Sequence, residues 1–238
     1  MSKQRRYLAF DIETAAVIPD ADCDWRTCRP LGISCAATLP SDELNPRVWH
    51  GLTSDGSPAA RMSREEAKGL VEHLASAVAS GYEIITWNGL TFDFDILAEE
   101  SGEKAVCQRL AWDHVDLMFH VFCRQGYPVA LDKAAQGMGI PGKPAGMSGI
   151  MAPRLWKEGR YQQVLDYVSQ DVRTLLQLAQ ECERIHRFRW ITRKGTAQFF
   201  DLGKGWLAAK AAYCLPLPDT SWMSSPVSRD QFIAWLKR

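Results

Sequence analysis

Residues 6–12, RYLAFDI, constrain this chain more than any other stretch. In an extended strand Tyr7 and Ala9 fall on one face and Leu8, Phe10 and Ile12 on the other, so both faces are apolar. Such a strand belongs at the centre of a sheet covered by helices on both sides. Residues 31–39 (LGISCAATL) and 46–50 (PRVWH) read as two further strands. A fourth, residues 83–87, ends at the breaker pair Asn88-Gly89, and residues 114–117 read as a short fifth. Between them, residues 63–80 carry a helical stripe of Leu70, Val71, Leu74 and Val78. Ser63 and Glu66 have the spacing of a capping box at its start. A helix is expected from about Phe92, and the chain is mainly helical up to about Arg187. Residues 137–149, with five glycines and two prolines, read as a loop. Beyond residue 187 a hairpin turning at Lys194-Gly195 is expected. After it come a helix over 204–213, a loop over 215–226, and a last helix capped by Ser228 with Phe232, Trp235 and Leu236 on one face. Strands interleaved with helices, then a helical half, describe an α/β domain with a C-terminal extension.

At 238 residues the chain can bury a sizeable core. It has no apolar run near the roughly 20 residues that cross a bilayer. Its start, MSKQRRYLAFDIE, lacks the apolar core of a secretion signal. Seven cysteines without such a signal point to thiols in a reducing, cytoplasmic setting. Cys23 and Cys28 have a spacing some zinc sites use, but no second pair matches them, and the five histidines form no metal spacing. The formal net charge is zero, yet the charge is unevenly spread. Residues 1–153 carry 14 Lys+Arg against 20 Asp+Glu, and residues 154–238 carry 14 against 8. The densest basic stretch holds Arg184, Arg187, Arg189, Arg193 and Lys194. Phe188 and Trp190 between them would offer flat surfaces to bases, and the cations would suit a phosphate backbone.

The informative residues are acids set among apolar neighbours. Asp11 and Glu13 are two apart at the end of the first strand and so share a face. Asp93 also follows closely on a strand's carboxyl end, where ligands of open α/β sheets sit. In the helix over 161–187, Val164, Val168, Val172, Leu175, Ala179 and Cys182 make an apolar stripe. Asp171 lies inside that stripe, with Tyr167 one turn before it at the edge. A carboxylate on the packed side is costly unless paired or metal-bound. A divalent metal shared with the other acids would relieve that cost.

FDIET at 10–14, NGLTFD at 88–93 and YVSQD at 167–171 together resemble the three motifs of the DEDD superfamily of 3′–5′ exonucleases. The Tyr-x-x-x-Asp form of the third motif is similar to the tyrosine subclass. The nearest likeness is to the proofreading domain of family-B DNA polymerases and its free-standing bacterial relatives. The resemblance spans about residues 5–187. It implies a ribonuclease H-like fold, a five-stranded mixed sheet flanked by helices, for a domain of residues 1–187. Residues 188–238 lie outside it, as an extension packed on that domain.

The same resemblance implies two Mg²⁺ or Mn²⁺ ions held by Asp11, Glu13, Asp93 and Asp171, with Tyr167 orienting the attacking water. Thr14 and Asn88 would lie against the terminal nucleotide. Asp95, the second acid of TFDFD, is assigned instead to the first turn of the following helix. The expected substrate is single-stranded nucleic acid. DNA is favoured, RNA as in ribonuclease D is the alternative, and a catalytically idle binding subunit is a third reading. Arg187, Arg189, Arg193 and Lys194 are expected to track the substrate backbone. The competing use of residues 188–238 is to dock a protein partner through Trp206, Trp222 and Trp235.

Overall fold

The computed structural model describes residues 5–19, 23–141 and 149–237. Its main sheet has five strands in the order β3-β2-β1-β4-β5. The central strand is β1 (Tyr7–Thr14). β2 (Ile33–Pro40) runs antiparallel to β1, and β3 (Arg47–His50) antiparallel to β2. β4 (Glu83–Thr86) and β5 (Val115–Asp116) complete a parallel half. The mixed five-stranded sheet expected from the sequence is therefore present.

The two apolar faces of β1 meet two separate cores. Leu8, Phe10 and Ile12 pack with α1 (Arg64–Ala79), α2 (Asp93–Ser101) and α3 (Lys104–Asp113). Tyr7 and Ala9 face α5 (Leu131–Met138), α6 (Ala152–Lys157) and the long α7 (Tyr161–Arg184). α4 (Leu117–Gln125) contributes to both. α1 starts with the full capping box of Ser63 and Glu66. The stripe of α7 is wholly inside, and the helix lies across β1 and β2.

The C-terminal segment shares these cores. β6 (Arg187–Ile191) and β7 (Ala197–Asp201) form the expected hairpin. It packs on α5, where Gly137 admits the β6 backbone: a Cβ there would stand 2.4 Å from Trp190 Cα. α8 (Ala209–Tyr213) and the terminal Phe232, Ile233 and Trp235 close the opposite core.

Several expectations need correction. α7 ends at Arg184 rather than 187, because His186 adopts a left-handed φ of 53° that turns the chain into β6. At 24 residues it spans about 36 Å. Gly137 and Met138 belong to α5, not to a loop, and residues 142–148 of that loop lie outside the described residues. Residues 204–208 are not helical; Trp206 is buried there and donates its indole N–H to Ala179 O. The last segment forms two short 3₁₀ turns rather than a helix, although Ser228 does cap the first. Phe188 and Trp190 are not surfaces for bases: alternation along β6 turns both inward, stacked on each other at 5.5 Å. Trp206 and Trp235 are buried as well, leaving Trp222 as the exposed member of that trio, 67% accessible.

Candidate active site

Strand parity puts Asp11 and Glu13 on the α7 side of β1, beyond the apolar pair Tyr7 and Ala9. α7 crosses this end of the sheet with Asp171 directed inward and Tyr167 one turn earlier, both buried. Carboxylate oxygens of Asp11, Glu13 and Asp171 all come within 4.8 Å of one another. Three acids so close repel, and an all-oxygen donor set is what a hard divalent cation such as Mg²⁺ or Mn²⁺ requires. The residues present thus fit a metal.

Asp93 reaches the same cleft from the other side, as the first residue of α2. It stands apart from the group of three, and its Oδ1 accepts the Ile12 amide at 3.0 Å. Burial pushes its carboxyl up to about 7. The Ile12 hydrogen bond opposes the rise and the nearby charge of Asp116 adds to it. Asp95 is in the first turn of α2, as expected, and outside the cleft lining, and it also pairs with Arg29 at 2.5 Å. Burial raises the Tyr167 phenol far above its ordinary value, and the charges of Asp171, Glu13 and Asp11 raise it further. Tyr167 therefore keeps its proton.

These residues line a cleft of 960 Å³. Thr14 and Asn88 are also on its wall, and α5 supplies Leu131, Asp132 and Gln136 opposite. Asn88 has a left-handed φ of 75°, a conformation Asn tolerates better than most residues. The four basic residues of the C-terminal segment do not line the cleft among the described residues. Arg187 pairs with Asp201 at 2.8 Å and lies over Phe199, Arg189 projects from β6, and Arg193 and Lys194 are exposed at the hairpin turn. Cys23 and Cys28 hold their sulfurs 3.8 Å apart as thiols, and the chain has no disulfide among the described residues.

Sequence reasoning missed Asp116. It is fully buried at the end of β5, where its carboxylate accepts from the amides of Asn88, Leu90 and Phe119. Burial lifts it to about 6 against the pull of those donors. The signal available was an acid inside the apolar run HVDLMFHVF. His114, two residues earlier, is held down at about 4 by burial and stays neutral.

Fold and cleft together define an α/β protein with an acidic, metal-competent site at the carboxyl end of its central strand. The sequence pattern of the RNase_H superfamily matches residues 53–182, more than half the chain, and the protein belongs to that superfamily. Among solved structures, it is similar to the family B DNA polymerase of the hyperthermophilic archaeon Pyrobaculum calidifontis. That match has 21% identity and a TM-score of 0.55 over 76% of this chain. The chain spans only a quarter of the polymerase's length, 25%. Exonuclease I is a more distant match, with 15% identity and a TM-score of 0.42, covering 76% of this chain and 41% of that one. No curated protein sequence matches this chain. No helix among the described residues is long and apolar enough to cross a membrane.

Proposed function

We propose that this protein is a metal-dependent 3′–5′ exonuclease of the tyrosine DEDD subclass, acting on single-stranded DNA. The observation that carries the reading is the meeting of Asp11, Glu13 and Asp171 within 4.8 Å, with Tyr167 beside Asp171 and Asp93 facing them across one cleft. Asp11, Glu13, Asp93 and Asp171 are the residues that would hold two Mg²⁺ or Mn²⁺ ions. Bound divalent metal lowers the pKa of coordinated water and offsets charge on the scissile phosphate. The protonated Tyr167 hydroxyl orients the attacking water, because burial and three neighbouring acids keep it a donor. Thr14 and Asn88 lie along the terminal nucleotide. A cleft that takes one chain end favours release of mononucleotides from a frayed 3′ terminus.

Residues 1–187 form the exonuclease domain, and residues 188–238 extend its two cores and carry the basic hairpin. Arg187, Arg189, Arg193 and Lys194 track substrate phosphates upstream of the cleft. The thiol state of the cysteines suits a reducing cytoplasm. The test is cleavage of 5′-labelled DNA and RNA oligonucleotides with Mg²⁺, Mn²⁺ or EDTA, alongside 3′-blocked strands and covalently closed single-stranded circles. Stepwise shortening of free 3′ ends, stopped by EDTA and by the block, is the expected result. Efficient cutting of circles would overturn the end-dependent mechanism, and preferential decay of RNA would move the substrate to the ribonuclease D type.

A further inference from the structure

The turn Asn88-Gly89-Leu90 joins β4 to α2 and carries one whole limb of the cleft. Phe92 is the N-cap of α2 and supplies no side-chain cap. The turn's own carbonyls do that work: Asn88 O accepts from Phe92 N at 3.1 Å, and Gly89 O from Phe94 N at 3.0 Å. Any shift of the turn is thus passed directly to Asp93, which lies between those two residues. Asn88 itself faces the cleft.

Two buried groups around β5 hold this turn from beneath. Asp116 takes the amides of Asn88 at 3.0 Å and Leu90 at 2.9 Å, while Phe119 N, from α4, gives it a third donor at 2.9 Å. Three converging N–H groups demand an acceptor-only side chain, which an ionised carboxylate is. The second brace has a forced proton order. His114 Nδ1 lies 2.7 Å from the carbonyl of Ala111 and must donate to it, so in the neutral ring Nε2 is an acceptor. Thr86 Oγ1, 2.9 Å away, donates to Nε2 and is left to accept the Gly89 amide at 3.1 Å. Gly89 is required at this place, because a Cβ would stand 2.4 Å from Thr86 Oγ1.

We propose that Asp116, together with His114 acting through Thr86, is a positioning device for the Asn88–Asp93 limb. It aims Asp93 at the acid group of β1 and α7, from which Asp93 stands apart. A charged group is buried here for a turn at the rim of the cleft, when the rest of the sheet is held by its own ladder. The kinetic part of this inference rests on the nuclease reading above, whereas the structural part does not.

The test uses the full chain carrying Asp116→Asn, which sets an NH₂ against one of the amide donors. The isosteric Thr86→Val serves as a second variant, and as the replacement if the first does not fold. Backbone hydrogen exchange is measured without metal, Mn²⁺ binding by calorimetry, and kcat and KM on a single-stranded oligonucleotide. Amides 88 and 90 are expected to exchange at least about tenfold faster while those of β1 and α7 keep their rates. Mn²⁺ binding is expected to lose its weaker site and retain the stronger. The fall in kcat is about 10–100-fold, the scale of a small misplacement, and raising Mn²⁺ restores part of it. A merely structural role would not give that metal rescue. Unchanged exchange in the turn, or exchange faster everywhere alike, overturns the proposal. So does a faster turn with unaltered Mn²⁺ binding. A parent protein that cleaves nothing overturns the nuclease reading alone, since exchange and Mn²⁺ binding still decide the positioning role.

Discussion

Replacing Asp93 by Asn removes a negative charge from a side chain that is 2% exposed, while keeping an oxygen for the Ile12 amide. Burial lifts this carboxyl from its ordinary 3.8 to about 7. At about 1.36 kcal/mol per pKa unit, the ionised form carries a penalty near 4 kcal/mol. Asp116 shares part of that repulsion and the Asn amide must itself be desolvated, so a net gain of about 1–3 kcal/mol is expected for the variant. In a chain of this length that corresponds to a rise in Tm of about 3–10 °C in EDTA at pH 8. The pH dependence has a definite sign. Below pH 7 the folded parent takes up a proton that its unfolded chain does not bind until about pH 3.8. The parent therefore recovers stability as the pH falls, by about 1.4 kcal/mol per pH unit, and a gap of that size closes at about pH 6–5. Thermal melts of both proteins in EDTA from pH 8 to 5, with cleavage assays in Mn²⁺, make the measurement. The variant should be the more stable protein at high pH and inactive throughout. A lower Tm for Asp93→Asn at pH 8, or a gap that ignores pH, would refute the argument that this acid is strained by burial.

Tyr167→Phe should fold and bind Mn²⁺ as the parent does, yet cleave about 10²-fold more slowly, because on the proposed mechanism it loses only the hydroxyl assigned to orient water. Equal rates would reduce Tyr167 to a packing residue. Alanine at Arg187, Arg189, Arg193 and Lys194 together should weaken binding of long single strands and flatten the log-log salt slope by up to about three. Dinucleotide cleavage should barely change, and an unaltered salt slope would dismiss backbone tracking by the hairpin. Gly137→Ala should lower stability by about 1–3 kcal/mol, read as a drop in Tm, since the new methyl meets the Trp190 backbone rather than a movable side chain.

Local pattern determined much of this protein. A strand apolar on both faces can only be central, and β1 is. Parity alone put Asp11 and Glu13 on one face, and the 3.6-residue period put Asp171 within the buried stripe of α7 with Tyr167 beside it. Such periodicities are set by backbone geometry within a few residues, so they are legible before any contact is known. Tertiary structure decided what depends on residues far apart in the chain. The aromatic residues of β6 alternate with its arginines whichever face is buried. The close approach of Gly137 on α5 selects the aromatic face and leaves Arg189, Arg193 and Lys194 outside. Trp206 and Trp235 go inward for the same reason, because partners at Ala179 O and Leu90 O satisfy their indoles. Between the two acids of TFDFD, the Ile12 amide takes Asp93 and Arg29 takes Asp95, each a partner more than 60 residues distant. Asp116 showed in the sequence only as an acid inside an apolar run; its place under the cleft was not legible, because two of its three donors lie 28 and 26 residues upstream, in a turn that only the packed sheet brings to it.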